Sequence, residues 1–175
     1  MTASAFKEKF VGFVDVLGFK DMVARAENGN GRSLSEIQNI LRTLGRADEK
    51  QKFQKHGPIT CPDSQCLAKD MDIEITQISD CVIISSEISP AAIVNLIAHC
   101  WGSALMLLRS GVMVRGYVTR GLIHHNGNEL IGTGYQKAFE GEATVTAFKR
   151  TADERGTPFI EIDPAVCDYV RDCTD

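Results

Sequence analysis

Ahead of Phe10 the sequence lacks the apolar core of a signal peptide, and no run in it reads as long and apolar enough to span a bilayer. The expectation from these absences is a cytoplasmic chain without direct membrane contact. A basic excess is also missing. Lys and Arg number 19 against 23 Asp and Glu, a formal net charge of −4, which argues against a broad nucleic-acid footprint. There is no internal repeat and no low-complexity tract. Without an export signal, the six cysteines read as reduced thiols instead of a disulfide framework. Cys61 and Cys66, near His56, are too loosely spaced for a zinc site and no second pair follows. What remains is ordinary soluble composition, 43% hydrophobic and 24% charged over 175 residues, expected to fold as a single domain over 1–175.

The chain is organised around Phe10-Val11-Gly12-Phe13-Val14-Asp15-Val16-Leu17-Gly18-Phe19-Lys20. It reads as a buried strand that breaks at Gly18 into an amphipathic segment. Asp15 sits inside the apolar run, where a charge needs a partner. Two readings stand: a metal ligand, or a strand-end Asp capping the next helix. Gly18 lets backbone N–H groups approach an anion at that helix start.

A second carboxylate, Asp80, lies with Ser79 between two strand-like runs, Met71–Ile78 and Cys81–Ser85, which places it at the tip of a tight hairpin. A strand Asp, a glycine-broken helix start and a hairpin Asp together resemble the metal-site pattern of the class III nucleotidyl cyclases. Arg115–Gly121 and Gly132–Ala138 are similar to that family's fourth strand and to the turn into its last conserved helix. The chain most resembles the bacterial pyrimidine cyclases of the Pycsar antiphage systems, over roughly residues 8 to 165.

Elsewhere the pattern is conventional. Phe19–Ala26 is expected to be a short helix, with Met22 and Val23 toward the core. Ser33 and Glu36 form a capping box ahead of the apolar face Ile37, Ile40, Leu41 and Leu44, which ends at Gly45. Arg46–Asp70 reads as a polar surface excursion. Ser89-Pro90 starts a long helix whose apolar stripe includes Trp101, and Gly111 stops it. Trp101 reads as core or interface, with base stacking as the rival. Val112–Leu122 is expected as a strand, His124–Asn128 as a turn with two exposed histidines, and Glu129–Ile131 as the partner strand. A helix from Gly132 to about Arg150, a strand Pro158–Ile162 and a short helix capped by Asp163-Pro164 complete the reading. The fold class expected is α+β: the ferredoxin-like class III cyclase catalytic domain, a mainly antiparallel sheet with helices packed on one face.

The resemblance implies a site. Asp15 and Asp80, with the Val16 carbonyl, would hold two Mg²⁺ or Mn²⁺ ions. The backbone of Leu17, Gly18 and Phe19 would hold the β- and γ-phosphates of a nucleoside triphosphate. In purine cyclases the residue four before the hairpin Asp and the residue two before the glycine at position 132 read the base. Here they are Thr76 and Leu130, which do not suit a purine, although Thr76 facing solvent is the bland alternative. Tyr135 could close the pocket around a single ring, a core position being its more ordinary fate. Gln136 stands where the family has an asparagine, and Glu140 where it has an arginine. A cation must then come from elsewhere, with Arg115, Arg120, Lys149 and Arg150 as candidates. The implied activity is conversion of UTP, or CTP, to a 3′,5′-cyclic product sensed by a separate effector protein. The implied assembly is a homodimer with shared active sites.

Overall fold

The computed structural model describes residues 6–46, 51–52, 71–145 and 157–173. Strand β1 (Lys7–Val16) is its centre, paired antiparallel on one side with β3 (Cys81–Ser86) and on the other with β4 (Val114–Asn126). β2 (Ile73–Ile78) joins β3 as an edge, β5 (Glu129–Ile131) pairs with the end of β4, and β6 (Ile160–Ile162) pairs parallel with β4. The result is a six-stranded sheet of order β2-β3-β1-β4-β5, with β6 beside β4. Apart from β6 it is antiparallel, as expected.

Both faces of β1 are buried because its apolar residues do not alternate with polar ones. Phe10, Val14 and Val16 join the larger core, beneath α1 (Phe19–Glu27), α2 (Leu34–Gly45), α3 (Pro90–Arg109) and α5 (Pro164–Asp172). Val11 and Phe13 enter a smaller core beneath α4 (Thr133–Ala143), with Ile83, Ile123 and Ala138. The expectation of helices on one face thus holds for four helices, and α4 covers the other. Burying each of these large apolar side chains contributes about 1.5–3 kcal/mol.

Local signals explain most boundaries. Ser33 and Glu36 cap α2 reciprocally, Ser89 accepts from the Ala92 amide ahead of Pro90, and Asp163 accepts from the Ala165 amide ahead of Pro164. Helix α4 ends at Ala143 and not near Arg150, since Thr144 and Val145 are β-branched residues that resist helical extension. Residues 146–156 are outside the described set, as are Cys61, Cys66 and His56.

Two expectations fail along α3 and β4. Helix α3 is, by length and mean hydropathy, long and apolar enough to cross a membrane, which the sequence reading did not allow for. Here Ile93, Leu96, Cys100 and Leu107 are buried in the larger core. Trp101 is not core: it is 65% exposed on the outer side of the same helix, lining an apolar groove of about 300 Å³ with Ile97, Ala104 and Phe159. β4 runs four residues further than expected, so His124 and His125 are strand residues, and the turn is Gly127-Asn128 with Gly127 at φ 57°. That two-residue turn is typical for glycine at positive φ.

Candidate active site around Asp15 and Asp80

The site gathers at the end of β1. Asp15 is opposite Cys81 on β3 and opposite Arg115 on β4, so the three side chains share the α4 face of the sheet. Ser79 and Asp80 form the two-residue link between Ile78 and Cys81, and the Val16 amide donates to the Asp80 carbonyl at 3.1 Å. Ser79 is held at φ 54°, a left-handed conformation that costs a non-glycine residue about 1–2 kcal/mol. The hairpin tip beside Asp15 therefore carries backbone strain next to a candidate ligand.

Burial raises the Asp15 carboxyl from 3.8 to about 6, helped by the negative charges of Asp80 and Glu142. A backbone hydrogen bond from Val16 and the Arg115 guanidinium act against that rise. Burial, with Asp15 and Asp80, likewise pushes the Cys81 thiol up to about 11, so it remains protonated and is not a nucleophile. Among the described residues, two further carboxylates and one guanidinium thus act on Asp15, and the charges of this group sum to a negative value. Among the described residues, no three His, Cys, Asp or Glu side chains come together as a metal-binding group. The donor set that does exist, two carboxylates beside main-chain oxygens, fits a hard divalent cation that takes its remaining ligands from phosphate and water. The helix-capping reading of Asp15 fails, because the N-cap of α1 is Gly18 and no side chain caps it.

Gly18 has φ 73°, and nothing lies within 4 Å of where its Cβ would be. No side chain caps the start of α1, so its first-turn amides are not taken up by a capping side chain. Leu17 is a correction: its amide donates to the Met113 carbonyl at 2.9 Å and serves the sheet instead.

The other expected residues divide. Arg115 belongs to the site, with its Nε bonded to Glu142 Oε1. Glu142 is buried on α4 and was missed in the sequence, where attention fell on Glu140, which is exposed. Arg120 does not belong. Five residues after Arg115 on one strand, it projects from the opposite face, where it forms a two-point pair with Glu8 and stacks over Tyr169. That alternation was readable from spacing alone. Lys149 and Arg150 are outside the described residues. Gln136 is exposed on α4, about 9 Å along the helix axis from Glu142 and on a different side. Tyr135 packs against Phe13, ring centroids 6.3 Å apart, so its ring is committed to the smaller core.

Thr76 does not face solvent. It is buried, donates to the Gly127 carbonyl and meets His125 Nε2 at 2.8 Å, while Ser85 Oγ meets His125 Nδ1 at 2.8 Å. Because the Thr76 proton goes to Gly127, its oxygen accepts from Nε2–H. His125, read as an exposed turn residue, is buried at 6% exposure and clamps β2 and β3 to the β4–β5 turn. Leu130, its cross-strand partner, packs against the smaller core.

No protein-family model and no curated relative matches the sequence. Among solved structures, the crystal structure of the guanylyl cyclase Cya2 superposes with a TM-score of 0.57 at 10% identity, covering 95% of this chain and 80% of that one. The likeness is one of fold, spans nearly all of this chain, and agrees with the mixed sheet and its helices. The protein has the fold of a class III nucleotidyl cyclase catalytic domain.

Proposed function

We propose that this protein is a metal-dependent nucleotidyl cyclase that converts UTP to 3′,5′-cyclic UMP and pyrophosphate. The observation that carries the reading is the Asp15–Asp80 pair, short of positive charge, beside the uncapped start of α1 at Gly18, in a cyclase fold. The ribose 3′-oxygen attacks the α-phosphorus, the bond from that phosphorus to the bridging oxygen breaks, pyrophosphate leaves, and the 3′-hydroxyl proton passes to solvent. A divalent ion, Mg²⁺ or Mn²⁺, supplies charge neutralisation and lowers the pKa of the attacking hydroxyl. Asp15 and Asp80, with the Val16 carbonyl, would hold such ions, two per site by resemblance, and the Gly18 and Phe19 amides would bind the phosphate chain.

Pyrimidine choice rests on Thr76 and Leu130. The Thr76 proton is taken by Gly127 and Leu130 is apolar, so neither position offers a donor to a purine edge. UTP is placed ahead of CTP by resemblance to the Pycsar enzymes alone, and the cyclic product would then be a messenger read by a separate antiphage effector. Gln136 is exposed on α4, on a different side of that helix from Glu142, which supports a homodimer in which Gln136 of the partner subunit completes each site.

A second reading is a cyclase-like module that holds nucleotide without turnover. The exposed Glu140, where the family has an arginine, favours it. Incubation with equal ATP, GTP, CTP and UTP plus Mn²⁺, with products identified by mass, separates the two. Cyclic UMP should dominate. Predominant cyclic AMP or GMP would overturn the pyrimidine assignment, and nucleotide binding without any cyclic product would favour the binding module.

A further inference from the structure

Helix α3 turns its polar side chains inward and leaves apolar ones outside. From Pro90 to Leu108 it holds no Asp, Glu, Lys or Arg. Asn95, His99 and Ser103 are buried, with Asn95 donating to the Ala91 carbonyl and Ser103 to the Leu44 carbonyl. Val94, Ala98, Trp101, Leu105 and Leu108 are exposed. These five recur at alternating steps of four and three residues, the heptad spacing of a coiled-coil seam, and run about 21 Å along the helix axis. Two apolar hollows flank the seam and share Ala104, Val114 and Pro158. One, of about 300 Å³, lies beside Trp101, and the other, of about 250 Å³, beside Leu105, Leu108 and Met113. Met113 and Phe159 at their rims are themselves 50% and 38% exposed. The whole patch is on the order of 600 Å², at the top of the range for a monomer and near one side of a standard protein interface, about 800 Å².

We propose that this face binds the same face of a second copy of the chain, with α3 packed antiparallel on α3 of the partner subunit. Trp101 is the midpoint of the seam, so a twofold axis there brings it against Trp101 of the partner subunit. Ala98 leaves room for the rings, and the hollow beside Trp101 receives them. A patch that pairs with itself needs its projection and its hollow on one surface, and this one has both. Antiparallel pairing also opposes the helix dipoles and keeps the two Arg109 side chains at opposite ends. A seam without charge suits neither nucleic acid nor the Lys- and Arg-rich helices that lie on membrane surfaces. Helix α3 covers the opposite face of the sheet from α4 and Asp15. The contact is therefore distinct from the shared-site dimer proposed above, leaves it free to form, and does not rest on the cyclase reading.

Trp101 is the single tryptophan of the chain, so its fluorescence reports on this face alone. The full-length protein at about 50 µM, above the micromolar Kd of weak interfaces of this size, is compared with Leu105→Glu by sedimentation equilibrium and by acrylamide quenching of Trp101. Leu105 is 42% exposed, so a glutamate there is compatible with the fold but sets like charges against each other across the twofold axis. The wild-type mass should be at least twice that of the variant. Its quenching constant should be about threefold lower, because an indole that is 65% exposed in the single chain becomes covered. Leu108→Glu, at a position 57% exposed, is the second variant should Leu105→Glu lose the wild-type far-UV CD spectrum. Dilution of the wild type to about 50 nM should give the same contrast with no substitution. Equal masses for wild type and folded variant would overturn the proposal. So would equal quenching, since a Trp101 open in both chains is bare and one shielded in both is covered by its own chain. Shielding that appears only when neutral phosphatidylcholine vesicles are added would assign the face to lipid and overturn it as well.

Discussion

Asp15 and Arg115 are direct partners across the β1–β4 ladder, an acid and a base on one face of a sheet otherwise lined there by Val11, Phe13 and Ile83. Their juxtaposition does not neutralise Asp15, because Glu142 draws on the same guanidinium and Asp80 adds a further negative charge. The site is therefore least comfortable when empty of cations, and the first prediction follows from that.

Asp15→Asn should make the metal-free protein at least as stable as the wild type at pH 7. The folded value near 6 exceeds the ordinary 3.8, so the fold favours the protonated acid. Wild-type stability falls as pH rises from about 4 to 6, whereas the amide variant lacks that loss. Allowing for solvent screening at this half-buried site, the gain is about 1 kcal/mol. Mn²⁺ should raise the thermal midpoint of the wild type and not of the variant. A variant clearly less stable than the wild type without metal would contradict the charge imbalance.

Mixing inactive chains tests the shared site. Asp15→Ala and Gln136→Ala homodimers should each be nearly inactive, and co-refolding them should restore up to about a quarter of wild-type turnover, because half the chains pair heterologously and each such pair regains one of two sites. Proven subunit exchange without recovered activity would refute sharing.

His125→Phe should destabilise the fold by about 2–4 kcal/mol, since the Ser85 and Thr76 hydroxyls lose a buried partner together. Urea unfolding measures this. A loss under about 0.5 kcal/mol would mean that the network carries no stability.

Asp163 should show the opposite pH sign from Asp15. Burial works to raise its carboxyl, but hydrogen bonds from Lys137, the Ala165 amide and the Thr119 hydroxyl outweigh it and hold the pKa below the ordinary value. Its contribution is present above about pH 4 and is lost as pH falls through the depressed folded value. Asp163→Asn should therefore be less stable than the wild type by about 1–3 kcal/mol at pH 7, with the gap closing in acid. A gap unchanged down to pH 2.5 would count against this network.

Much of the architecture was legible because its signals are local. Gly18 ends β1 by leaving the extended region, Ser33 with Glu36 and Ser89 with Pro90 start helices through their own side chains, and Ser79-Asp80 turns because only two residues separate two β-branched runs. Asp15 and Asp80 stood out as carboxylates at the ends of apolar strands, and the structure brings them to one place. Arg120 was a readable error, since strand alternation alone sets it opposite Arg115.

Position along the chain says nothing about which side chains meet across it. Strand register decided that Asp15 faces Arg115 and that Thr76 and Ser85, 49 and 40 positions away, converge on His125. The packing of α4 over the second face of the sheet decided that Glu142, and not Glu140, reaches the site. Sequence determined the elements, their caps and the two acids, because each depends on a few neighbouring residues. Which charges are buried together, and hence how strongly the site demands a cation, was decided by tertiary structure, because desolvation and Coulomb interaction depend on distance in space.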